Sequence, residues 1–64
     1  MNKYDVVDLL FTMCDATSAA IKGATFDEVI DFVKRQHRDI EPEWLEAFRD
    51  ALGPICETYK REHA

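Results

Sequence analysis

Apolar residues dominate the first third of the chain. Between residues 4 and 21 only Asp5, Asp8 and Asp15 are charged. On a helix, where successive residues turn by about 100°, these aspartates and Lys22 share one side, and apolar or small residues cover an arc of roughly 220°. A surface helix of a globular domain usually has an apolar stripe a little over 100° wide. The pattern therefore predicts a helix over residues 3–22 that needs cover on two sides.

Capping residues mark the boundaries of the first two helices. Asn2 is placed to cap the first helix, and Gly23 is placed to end it in the left-handed conformation. Thr25 and Glu28 have the spacing of a capping box, which predicts a second helix over residues 26–38. The apolar face of this helix consists of Phe26, Val29, Ile30 and Val33. Because the link is so short, we expect the two helices to pack on each other.

A third apolar face follows Pro42, a residue that suits the first position of a helix. The predicted helix covers residues 42–62. Its face consists of Trp44, Leu45, Phe48, Ala51, Leu52, Ile55, Cys56 and Tyr59. Gly53-Pro54 interrupts the sequence, but the apolar spacing continues across it, so we expect a kink at residues 53–54, with a full break into a fourth helix as the alternative. The predicted fold is an all-α three-helix bundle that forms a single domain of residues 1–64.

The chain has 64 residues and a net charge of −5. So small a domain is marginally stable and is often supported by oligomerisation, which favours a homodimer. The acidic balance disfavours nucleic acid or an anionic membrane as the partner. No apolar run approaches the ~20 residues that span a bilayer. Aspartates occupy the region where a signal peptide would be apolar, so we expect a complete cytoplasmic protein.

The excess apolar surface of the first helix suggests an interface. One interpretation is a monomer in which the other two helices cover this helix completely. In the other, Val7, Cys14 and Ile21 face those helices, and a row spaced by three and four residues faces a second copy or another protein. This predicted seam consists of Val6, Leu9, Met13, Ala16 and Ala20.

Secondary interface candidates lie on the other two helices. Trp44 and Phe48 are aromatic anchors or core residues. The basic residues Lys34, Arg35 and Arg38 are either a solvated helix end or contacts for phosphate or for an acidic partner. The basic residues support an alternative function, that of a nucleic-acid-associated transcriptional regulator. Three glutamates at the start of the third helix argue against a recognition helix there; they are Glu41, Glu43 and Glu46.

Chemistry-bearing residues are few and scattered. Cys14 and Cys56 are expected to be buried free thiols, with a disulfide between them as the lesser alternative, and no C-x-x-C pair supports zinc. His37 is either a cationic residue at a helix end or a pH-sensitive or ligand-binding group. A catalytic or metal site would have to use these three residues, and we expect no enzyme activity, cofactor, metal or small-molecule substrate. The sequence favours a non-enzymatic protein-binding regulator or inhibitor. The size and class of the chain suggest the sort that phages and other mobile elements encode.

Overall fold

Three α-helices make up the fold. The computed structural model describes residues 3–64, with side chains described from Val6 onward. The helices are α1 (Lys3–Ile21), α2 (Phe26–Gln36) and α3 (Pro42–Glu62), and each packs against the other two. No strand occurs between residues 3 and 64. The predicted all-α bundle is therefore confirmed, whereas the proposed cap at Asn2 lies outside the described residues.

The link between α1 and α2 is set by Gly23 and a capping box. Gly23 has a φ of +106°, and its N–H donates to the carbonyl of Ala20 at 3.1 Å. At the start of α2 the Glu28 N–H donates to Thr25 Oγ1 at 3.2 Å, and the Thr25 N–H donates to Glu28 Oε1 at 3.3 Å. A Cβ atom on Gly23 would lie 2.7 Å from the ring of Tyr59. The turn is therefore closed on one side by α3.

The predicted ends of the first two helices differ from the structure by one or two residues. The first helix ends at Ile21, one residue early, and α2 ends at Gln36, two residues early. His37 follows as the C-cap, with its backbone N–H donating to the carbonyl of Val33 at 3.0 Å. The third helix passes through Gly53-Pro54 without a break, so the alternative of a fourth helix is wrong.

The core is formed where the three helices meet. Its buried side chains are Leu9, Ala16 and Ala20 of α1, Val29, Ile30 and Val33 of α2, and Phe48 and Leu52 of α3. Two alanines on α1 let the neighbouring helices approach closely, while most of the large core side chains come from α2 and α3. Truncating the largest core side chain, Phe48, typically costs about 3–5 kcal/mol at a site of this kind.

The orientation of α1 is the main difference from the predictions. The predicted seam was expected to be open, but Leu9, Ala16 and Ala20 are buried in the chain's own core. Val6 and Met13 are half-buried beside them. The expectation that this row is left uncovered is wrong, because α2 and α3 pack on this side of α1 and leave the next row open.

None of the helices in the described part of the chain is both long enough and apolar enough to cross a lipid bilayer. The described residues form an elongated bundle of 41 × 18 × 16 Å. All three helices therefore expose part of their length to solvent.

Candidate protein-binding surface

Large apolar side chains stand exposed along one face of α1. Val7, Leu10, Phe11 and Ile21 have exposed fractions of 45%, 57%, 67% and 61%. Cys14 is also exposed and lies midway along the same face. We call these five residues the open face. At these exposed fractions its four large side chains present roughly 400 Å² of apolar surface, comparable to the largest patch of a typical monomer, which is often functional.

The open face has the spacing of a helix-packing seam. Val7, Cys14 and Ile21 are seven residues apart, and Leu10 and the half-buried Thr17 lie between them. Residues at the first and fourth positions of a seven-residue repeat, mostly apolar, form the seam of a coiled coil. Thr17 is the polar member of this row, but its side chain is small and can hydrogen-bond to the backbone of its own helix. The open face therefore has the residue spacing with which helices pack against each other.

The apolar surface continues onto α3. Ile21 lines an open groove together with Pro54, Ile55 and Tyr59. Beside this groove α3 exposes a row of small side chains at helical spacing, which are Ala47, Ala51, Pro54 and Thr58. Small residues let a neighbouring helix approach closely, so the surface between α1 and α3 extends the open face.

Between residues 6 and 22, charged residues border the open face on one edge only. Asp8, Asp15 and Lys22 are exposed and seven residues apart, so they form one row beside Phe11. The other edge is formed by Met13, which is half-buried against the core. A helix that binds to the open face would meet two acidic groups and one basic group on a single side.

A polar contact joins α1 to the end of α2. Thr12 is 7% exposed, and its Oγ1 lies 2.6 Å from Nε2 of His37. Which of the two atoms donates depends on the histidine tautomer. The contact gives the buried hydroxyl group a hydrogen-bond partner, and it shows that Thr12 lies on the covered side of α1. The sequence pattern did not predict this contact.

The three residues considered for catalysis or metal binding are not brought together. Cys14 and Thr12, the partner of His37, project from nearly opposite sides of α1. Cys14 is exposed, so the expectation that it is buried is wrong, and both cysteines are free. Among the side chains described, from Val6 onward, no group of three His, Cys, Asp or Glu could hold a metal ion.

Cys56 is the less exposed of the two thiols. It is half-buried, and its Sγ–H donates to the carbonyl of Ala24 at 3.7 Å. Burial raises the pKa of Cys56, and the negative charge of Glu57 raises it further. Because the thiolate is the nucleophile, this environment opposes covalent chemistry at Cys56.

The secondary interface candidates differ in how far their side chains are buried. Phe48 is 1% exposed, so it is a core residue and not an interface anchor, and Trp44 is half-buried against the core. The basic residues Lys34, Arg35 and Arg38 are exposed. Acidic residues lie beside them: one groove is lined by Asp27, Glu28, Asp31, Lys34 and Arg49. Carboxylates in this position weaken the attraction of the α2 end for phosphate.

Comparison of the chain with models of protein families, with curated proteins and with solved structures found no match.

Proposed function

We propose that this chain is a small, non-enzymatic regulator or inhibitor that works in the cytoplasm by binding protein through the open face of α1. The observation that carries the proposal is the exposure of Val7, Leu10, Phe11 and Ile21 along one helical face. Four large apolar side chains exposed together are unfavourable in water, and a binding partner removes that cost.

The size of the open face limits the apolar contribution to binding. Burying roughly 400 Å² of apolar surface contributes about 10 kcal/mol before costs, at about 25 cal/mol per Å². Association then costs about 4–15 kcal/mol in lost translational and rotational freedom. The open face by itself therefore supports moderate affinity, and tighter binding requires the groove between α1 and α3 as well.

Charge favours a protein partner over a nucleic acid. The chain has a net charge of −5, and Asp8 and Asp15 lie directly beside the open face. A phosphate backbone would be repelled from this surface, whereas a helix with apolar and basic residues would not. A chain with one such surface acts by covering a site on its partner, which suits a regulator or inhibitor of the sort that mobile elements encode.

Capture of partners from the cells of origin tests this function. The immobilised chain is compared with Phe11→Lys, in which a charge replaces the most exposed side chain of the open face. The matched control is Asp31→Asn, which changes the net charge by the same amount at an exposed position of α2.

The wild type and Asp31→Asn are expected to retain the same proteins, including copies of the chain itself, and Phe11→Lys is expected to lose them. Circular dichroism checks that all three chains are equally helical. Equal retention by all three, or no retention by any, would contradict the proposed function.

A further inference from the structure

The open face is bulky just before Cys14, and the next two residues after Cys14 on the same side of α1 are small. Leu10 and Phe11 precede Cys14 by four and three residues, while Thr17 and Ser18 follow it by three and four. If two such helices lie antiparallel with Cys14 at the centre, the large pair of each helix faces the small pair of the other. A large side chain against a small one fills space at normal packing density.

The small pair is polar, but its hydroxyl groups do not oppose this packing. In a helix, the hydroxyl group of threonine or serine can donate to a backbone carbonyl three or four residues earlier. Thr17 is already half-buried in the single chain. A second helix can therefore cover Thr17 and Ser18 without leaving a hydrogen-bond donor unsatisfied.

We infer that the partner on the open face is a second copy of this chain, packed α1 against α1 in antiparallel orientation across Cys14. This inference rests on the proposed function, because it names the partner of the same surface. In this arrangement Val7 lies opposite Ile21 of the second copy. Each Val7 also approaches the groove formed by Ile55 and Tyr59 beside that Ile21, which enlarges the contact.

The charged edge of α1 agrees with the antiparallel orientation. In antiparallel helices the same edges meet, so Asp8 of one copy lies near Lys22 of the other. Measured along the helix axis, the two residues are offset by about 3 Å. This pair occurs twice in the dimer. The helix dipoles are also opposed, which is favourable. One repulsive contact remains, because Asp15 lies near Asp15 of the second copy.

The area of the contact fits a weak dimer. Two open faces together bury roughly 800 Å² from their large side chains alone, and the grooves on α3 add to this. Specific complexes at the small end of the range bury about 1,000–1,200 Å² in total. We therefore expect a dimer that forms at concentrations of about tens of micromolar rather than nanomolar.

Light scattering of the purified chain behind a sizing column tests the dimer. The mass is expected to rise from 7.4 kDa toward twice that value as the concentration increases to about 1 mM. Phe11→Lys is expected to raise the dissociation constant at least tenfold, and Asp31→Asn to leave it unchanged.

Two charge variants test the edge contacts. Lys22→Glu weakens the dimer by about threefold or more, and Asp15→Asn strengthens it by about threefold, because the first removes an attraction and the second a repulsion. A mass of 7.4 kDa at every concentration would overturn the inference. If face-dependent capture persisted in that case, the proposed function would stand with a foreign partner; loss of both would overturn both.

Cross-linking tests the orientation. In a background with Cys14→Ala and Cys56→Ala, the single variants Val7→Cys and Ile21→Cys are treated with a short thiol cross-linker. The two Val7 positions are about 21 Å apart in the antiparallel dimer, from the 1.5 Å rise per residue, so neither variant cross-links alone and their mixture does. Cross-linking of Val7→Cys with itself would show a parallel dimer and overturn the antiparallel arrangement.

Discussion

Individual residues fix the geometry of the turn between α1 and α2. Gly23 has a positive φ, which side chains other than glycine adopt at a cost, and the Tyr59 ring leaves no space for a Cβ atom there. The second glycine, Gly53, is inside α3, where a Cβ atom would be 3.4 Å from Cε1 of Phe26, an ordinary contact. The turn at Gly23 therefore requires a residue without a Cβ atom, whereas the helix at Gly53 has space for one.

This difference predicts the effect of alanine at each position. Gly23→Ala should lower the free energy of unfolding by about 1–3 kcal/mol, from backbone strain and displacement of Tyr59. Gly53→Ala should change the free energy of unfolding by less than about 1 kcal/mol, since the better helix propensity of alanine is opposed by the contact of its Cβ atom with Cδ of Pro54. Urea denaturation followed by circular dichroism measures both. Equal effects of the two substitutions would show that the turn does not depend on the conformation of Gly23.

Among the helices, α1 is the one whose buried side differs from the prediction. The polar faces of α2 and α3 predicted which sides of those helices are buried, and the core contains, as expected, Val29, Ile30, Val33, Phe48 and Leu52. The first helix is apolar on both sides, so its sequence has two rows with the same three-and-four spacing. The row that faces away from α2 and α3 is the predicted seam shifted by one residue. It consists of Val7, Leu10, Cys14, Thr17 and Ile21.

Tertiary contacts decide between the two rows of α1. The buried row contains Ala16 and Ala20, which permit close approach of α2 and α3. The buried side also contains Thr12, whose hydroxyl group needs a partner and finds it in His37. Neither contact is visible in the spacing of residues along α1, because both depend on how α2 and α3 are placed against it. The existence of a surplus apolar face was therefore predictable from the sequence, and its position was not.

Neighbouring leucines on α1 test this orientation. Leu9 is 3% exposed, whereas Leu10 belongs to the open face. Leu9→Ala should destabilise the fold by about 2–5 kcal/mol, and Leu10→Ala by less than about 1 kcal/mol, in dilute protein. Thermal denaturation at low concentration gives the comparison. A larger effect at Leu10 than at Leu9 would mean that α1 is turned the other way.

On the scale of the whole molecule, association and stability are coupled. A chain of 64 residues buries little surface by itself, so a second copy that covers the open face stabilises the folded state by mass action. The open face therefore serves both the stability of this small chain and its proposed role in binding protein. The two cysteines can be used to detect self-association, because Cys14 lies at the centre of the open face and Cys56 lies away from it.

The labelling rates of the two thiols in the unmodified protein test the central claim most directly. Samples from dilute to about 1 mM are treated briefly with iodoacetamide, and mass spectrometry measures the modified fraction of each cysteine. At low concentration Cys14 should react faster than Cys56. The pKa of Cys56 is raised, so at a given pH a smaller fraction of this thiol is the reactive thiolate than in an ordinary cysteine.

As the concentration rises, labelling of Cys14 should slow because a second copy covers it, while labelling of Cys56 stays constant and serves as the internal control. In Phe11→Lys the slowing at Cys14 should appear only at concentrations at least tenfold higher than in the wild type. A Cys14 rate that is the same at every concentration in the wild type would contradict self-association through the open face. A Cys14 rate slower than that of Cys56 in dilute protein would contradict the exposure of the face itself.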